Sequence, residues 1–229
     1  ELPETYAYLD RLKAILGIEI ITIKSVRDFK YWLKMYNGML PSPSNRWCTR
    51  HLKLDPYTNW LKCNCSGQAV YNYVGLRADE ERSGYRSKSL MVSSFFPFVN
   101  DGIVLQDVIN ILELSGLGLP EYYSWRQRSG CYFCFFQKDD EWRGLRFHHE
   151  ELFKKAIEFE ENHYDGRNYT WREAGPLRNL TEEISFKKYS KNRKDISLFS
   201  TLNGLMENFF IFFSFIKESS ENERNRRCM

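Results

Sequence analysis

Residues 69–76 read Ala-Val-Tyr-Asn-Tyr-Val-Gly-Leu, a run of β-branched and aromatic side chains that fits a pleated backbone better than a helix. We read it as a strand. It runs straight into a polar loop, residues 77–88, and a loop at the carboxyl end of a buried strand is where α/β proteins hold ligands. Upstream, Pro3 suits a first helical turn, Tyr6, Leu9, Leu12 and Leu16 recur at helical spacing, and Gly17 supplies a stop. Residues 18–23 then read as a buried strand and residues 26–36 as a second helix. This alternation predicts an α/β fold, a partial doubly wound parallel sheet with a helical, cysteine-containing C-terminal part.

Downstream, a loop with Pro41 and Pro43 precedes Arg46-Trp47-Cys48-Thr49-Arg50-His51-Leu52-Lys53, where Thr49 is expected to cap a short helix ending near Pro56. Ile103, Val104, Val108, Ile111 and Leu112 form the apolar face of a further helix. Residues 116–130 read as a loop, and helices resume around 141–145 and 150–161. Basic residues dominate from Lys187 to Lys194, followed by an apolar stretch, Phe209 to Phe215, expected to be a short buried or partner-facing helix. Three parts are expected: 1–125, 126–185 and 186–229.

Net charge is +3 over 229 residues, too small to argue for a nucleic-acid or membrane partner on charge alone. No uncharged run reaches the roughly 20 apolar residues that a bilayer helix needs. Six cysteines are too few for a disulfide scaffold of this length. Their spacing, Cys63-Asn64-Cys65 and Cys131-Tyr132-Phe133-Cys134, points instead to metal or redox chemistry in a reducing, cytoplasmic compartment.

Two thiols separated by two residues can face one ion or cluster while the backbone turns between them. Cys48 is the third sulfur of an iron–sulfur reading; Cys63 and Cys65, or His148 and His149, would complete a zinc site, and an inert core pair ranks third. Around Cys48, a helix amino terminus and cationic neighbours are expected to lower the thiol pKa. The loop after the 69–76 strand carries Arg77, Arg82 and Arg86 beside Asp79, Glu80 and Glu81. Guanidinium groups bind phosphate or sulfate oxygens bidentately, and the carboxylates can hold them in place until the anion arrives.

Four segments in order, Leu2-Pro3-Glu4-Thr5-Tyr6, Arg46-Trp47-Cys48-Thr49 with Lys53, Gly75-Leu76-Arg77, and Gly130-Cys131-Tyr132-Phe133-Cys134-Phe135-Phe136-Gln137 followed by Glu141-Trp142, resemble the phosphoadenosine phosphosulfate (PAPS) reductase family. The resemblance covers roughly residues 1–185. It implies an adenine nucleotide alpha-hydrolase-like fold that holds ATP or a PAPS-like adenine nucleotide, with Cys48, Cys131 and Cys134 on a [4Fe-4S] cluster. It also implies that Lys53, Arg77, Arg82 and Arg86 serve the nucleotide or anion. The family's Ser-Gly-Gly-Lys-Asp-Ser-like phosphate loop is absent and is expected upstream of Glu1. Cys228, in Asn-Arg-Arg-Cys-Met, does not match the Glu-Cys-Gly-type motif of true reductases, so sulfur transfer stands beside phosphosulfate reduction. The implied partners are the nucleotide, a DNA or RNA acceptor, and a protein donor of electrons or sulfur. The competing expectations are a zinc-stabilised nucleic-acid-binding module, using Lys187 to Lys194, and a catalytically silent fragment.

Overall fold

The computed structural model describes residues 1–81, 83–84, 86–87, 91–128, 130–161, 166–180 and the backbone of 213–216. It is a mixed helix-and-strand fold divided into two compact units. Glu1–Leu54 joins the residues from Pro120 onward in a helical unit, and Asp55–Leu119 with the strand at 213–216 forms a sheet unit. The divisions fall at Leu54 and Leu119 rather than at 125 and 185. The N-terminal segment Glu1–Leu54 thus shares a core with the Cys131/Cys134 segment.

In the helical unit, α1 (Pro3–Leu16) starts with proline in its first turn and stops at Gly17, whose N–H donates to the Lys13 carbonyl at 2.9 Å. Helix α2 (Phe29–Met35) begins later than its hydrophobic pattern predicts, because the Asp28 side chain accepts from the Tyr31 N–H at 2.8 Å and fixes the cap there. The short α3 (Trp47–Thr49) passes into a π-helical turn, Arg50–Leu54. Two longer helices follow, α7 (Asp139–His148) and α8 (Glu150–Glu161), the latter with the bounds its sequence predicts.

The core of this unit is aromatic, with Trp47, Trp125, Trp142, Phe153, Phe159 and Trp171 buried together. Trp142 is fully buried and Trp171 donates its ring N–H to the Ala156 carbonyl at 2.8 Å. Glu160 ties the following segment to α8, its two carboxylate oxygens accepting from the backbone N–H groups of Trp171 and Leu177, both at 2.8 Å. Gly144 sits within α7 because the Trp125 ring lies against it; an added Cβ would meet the ring at 2.5 Å.

The sheet unit opens with α4 (Asp55–Asn64). Pro56 therefore lies in a first helical turn and does not end a helix as expected; the first turn is the part of a helix that tolerates a missing N–H. The 69–76 stretch supplies β1 (Val70–Tyr73), which pairs in parallel with β2 (Val92–Phe95), Val70 opposite Val92 and Tyr73 opposite Phe95. Val70 and Asn72 are buried while Tyr71 and Tyr73 face outward, the period-two alternation of a half-covered sheet. The connection between the two strands is the polar loop, and β2 leads into α5 (Pro97–Asn100) and α6 (Leu105–Leu114).

Two expectations of secondary structure are corrected. Residues 18–23 form no strand, and Ile18 and Ile21 remain exposed, because no neighbouring strand pairs with them among the described residues. Within the apolar stretch near the C-terminus, Phe213–Ile216 is a strand, β3, antiparallel to β1, rather than a helix. Aromatic and β-branched residues favour that choice once a sheet edge is on offer. The rest of 181–229, including Lys187 to Lys194 and Cys228, lies outside the described residues. Among the described residues no helix is long and apolar enough to cross a membrane.

Candidate thiol centre

Cys48, Cys131 and Cys134 belong to the same unit and are all reduced. Aromatic packing connects their two segments. Trp47, beside Cys48, stacks on Phe29 with ring centroids 5.0 Å apart and donates its ring N–H to the Met39 carbonyl at 3.0 Å. Phe133, between the other two cysteines, packs on the same Phe29 at 4.3 Å and edge-on to Phe159 at 5.2 Å. A single ring thus buttresses both cysteine-bearing segments from within the core.

Lys53 reports the convergence electrostatically. Burial alone would pull its ammonium pKa down, yet Cys131, Glu1, Cys134 and Cys48 together push it above its ordinary value. Its field reaches all three sulfurs. Burial raises the Cys48 thiol despite the Thr49 hydrogen bond and the Lys53 charge that oppose it. The expected lowering is therefore overturned: α3 is a three-residue helix with little dipole to offer, and desolvation prevails. Burial, with the Glu1 carboxylate, pushes Cys131 up to about 12. At neutral pH both thiols are protonated, and any metal that takes them must displace protons.

The Cys131 thiol faces the Glu1 carboxylate, Sγ to Oε1 3.6 Å. Among the described residues no three Cys, His, Asp or Glu side chains are gathered closely enough to hold a metal ion. The donor set nonetheless has the chemistry of a soft-metal or iron–sulfur site, three reduced thiols within the electrostatic reach of one lysine. The other proposed zinc ligands lie elsewhere. Cys63 is disulfide-bonded and Cys65 is buried in the sheet unit. His149 pairs with Glu4 at 2.7 Å, and His148 stacks on Trp125 at 5.2 Å, where burial, with His149 beside it, lowers its pKa.

What shapes the turn around Cys131 and Cys134 is a pair of buried polar side chains to which the sequence assigned no role. Arg126 donates from Nη1 to the Gly130 carbonyl at 3.1 Å and from Nη2 to the Cys131 carbonyl at 2.8 Å. Gln137 donates from Nε2 to the carbonyls of Tyr132, at 2.7 Å, and Cys134, at 3.3 Å. Gly130 adopts φ 128°, a conformation that side chains resist, and this lets the turn present its carbonyls to Arg126. Glu141 closes the far end, accepting from the N–H groups of Gln127 at 2.7 Å and Lys138 at 2.9 Å. Nearby, Arg46 and Arg128 both lie over the Phe136 ring, at 4.8 and 5.0 Å from its centroid.

The arginines of the polar loop belong to the sheet unit. Arg77 is buried; its Nε donates to Asp79 Oδ1 at 2.8 Å, and Nη1 lies 3.5 Å from Glu80 Oε1. Its charge is met by two carboxylates of its own loop. Arg86 is exposed, with its guanidinium 5.4 Å from the centre of the Phe96 ring, and Arg82 lies outside the described residues. No protein-family model, curated protein or solved structure matches the chain.

Proposed function

We propose that the chain carries out nucleotide-dependent sulfur chemistry of the PAPS reductase type, either reduction of a phosphosulfate or ATP-dependent sulfur transfer, in the cytoplasm. In this reading the fold is the partial doubly wound sheet of adenine nucleotide alpha-hydrolases. The supporting observation is that Lys53 lies in the electrostatic reach of Cys48, Cys131 and Cys134, thiols far apart in sequence. Those three would hold a [4Fe-4S] cluster, which supplies electron or sulfur relay when bound; a DNA or RNA acceptor and a donor protein complete the scheme.

The residues of the chain have separable tasks in this scheme. Lys53 balances negative charge on the sulfurs and on an incoming anion. Arg86 and Arg82 serve the phosphate or sulfate. An anion at Arg77 would compete with Asp79 and Glu80 for the guanidinium, so we assign Arg77 to holding the loop in shape. The test is anaerobic purification with iron and sulfide analysis: iron with acid-labile sulfide and a brown chromophore, lost in Cys131→Ala, is the expected result. Stoichiometric zinc without sulfide would overturn the cluster and favour the zinc-stabilised nucleic-acid module.

A further inference from the structure

Arg126 is a buried guanidinium, only 1% exposed, in the core of the helical unit. Its two amino groups are engaged by backbone carbonyls alone, and its Nε has no hydrogen-bond partner. Among the described residues no carboxylate pairs with it. Burying a cation against neutral acceptors alone is costly, so the fold gives up stability to place Arg126 here.

The carbonyls it holds are those of Gly130 and Cys131, the two peptide units on either side of the first sulfur-bearing residue. Because a trans peptide points its C=O and N–H in opposite directions, anchoring these carbonyls turns the N–H groups of Cys131 and Tyr132 away from Arg126. Gln137 takes the carbonyls of Tyr132 and Cys134 in the same way. Four carbonyls of one short turn are thereby withdrawn by two side chains, and the turn is closed by the Cys134 N–H donating to the Cys131 carbonyl at 3.1 Å.

We infer that Arg126 is the positioning residue of the thiol centre: it fixes the Cys131/Cys134 turn so that the two sulfurs serve a shared partner. Where the partner is a metal, the inference rests on the function proposed above. The positioning itself does not, since it acts equally on the metal-free pair. In that form the two thiols together release two protons and two electrons and join in one S–S bond. Oxidised glutathione is the acceptor, its own S–S bond breaking to give two glutathione thiols.

The test uses the full chain, equilibrated in glutathione buffers of graded ratio, with alkylation and peptide mapping to count the Cys131–Cys134 disulfide. Arg126→Met is expected to lower the effective concentration of the pair about tenfold and Arg126→Lys to lower it less, with far-ultraviolet dichroism unchanged. If Arg126→Met does not fold, the Arg126→Lys comparison carries the test. An effective concentration within twofold of wild type in either folded variant overturns the inference, as does a wild-type pair that forms no disulfide at any ratio. Cobalt(II) titration, read by sulfur-to-cobalt charge-transfer absorption, separates the two proposals. Wild type that ignores cobalt while Arg126→Met still shifts the disulfide equilibrium discards the metal reading and sustains the positioning role. Cobalt bound about tenfold more weakly by Arg126→Met than by wild type sustains both.

Discussion

Arg77 and Arg126 are both fully buried, one in each unit, and their surroundings answer the same problem differently. Arg77 is met by Asp79 and Glu80 from its own loop, a local charge set that already carries more negative than positive charge. Arg126 is met by carbonyls only, and those carbonyls belong to the turn that bears two thiols. A closed ion-pair group shapes its own loop; a cation met only by carbonyls fixes the turn to which those carbonyls belong. Burial and residue type alone would have ranked the two equally.

The contrast predicts unequal costs of removal. Arg77→Met strips the guanidinium from buried Glu80 and half-exposed Asp79 and is expected to destabilise by about 3 kcal/mol, the low end for breaking a buried pair. Urea unfolding measures it, and a loss below about 1 kcal/mol would mean that the loop tolerates its carboxylates unpaired.

Glu160 is the mirror image of Arg126, a buried carboxylate held by backbone donors. Glu160→Gln places an amide NH2 against one of two N–H groups and is expected to cost about 2 kcal/mol in the same assay. Burial raises the Glu160 pKa above its usual 4.5 although both backbone bonds oppose the shift. The folded state therefore binds this proton more tightly than the unfolded chain does. Its contribution to stability is greatest below about pH 4.5 and falls as pH rises through the folded pKa. Carboxyl titration of Glu160 by carbon-detected NMR checks the direction; a midpoint at or below the usual value contradicts it.

The smallest effect belongs to a half-buried ion pair whose carboxylate reaches solvent. Arg172 donates to both oxygens of Asp139, at 2.7 and 2.6 Å, and holds its carboxyl below the ordinary 3.8. Here the sign reverses: the stabilisation is present above the unfolded pKa and is lost as pH falls through the folded one. Asp139→Asn should cost less than about 1 kcal/mol at neutral pH because water screens the pair, and the gap to wild type should close in acid. A gap that stays constant from pH 6 to pH 2 would show that the ion pair contributes nothing.

Much of the helical architecture was readable in advance. Helix α8 carries its own apolar period, and α1 its own proline start and glycine stop, so local sequence suffices for both. Strands are another matter. Residues 69–76 found a partner in β2, whereas 18–23, equally apolar, found none among the described residues, and no local pattern encodes which strand will be paired. Cys48, Cys131, Cys134 and Lys53, which the fold gathers into one unit, could be singled out in the sequence because they carry recognisable chemistry. Arg126 was not, because an arginine between Trp125 and Gln127 reads as an ordinary loop cation until the fold buries it. The protonated state of Cys48 was misjudged for a related reason: flanking cations are visible in sequence and desolvation is not.

Phe133 gives the centre a final property. Since Phe133, one of the two residues separating Cys131 from Cys134, is wedged between Phe29 and Phe159, with Trp171 at 5.9 Å, the loop is nailed from the inside. The turn then keeps its shape for as long as the hydrophobic interior survives, whatever happens at the sulfurs. The neighbouring indole, sharing that interior, becomes a built-in optical gauge whose emission follows events at the sulfurs.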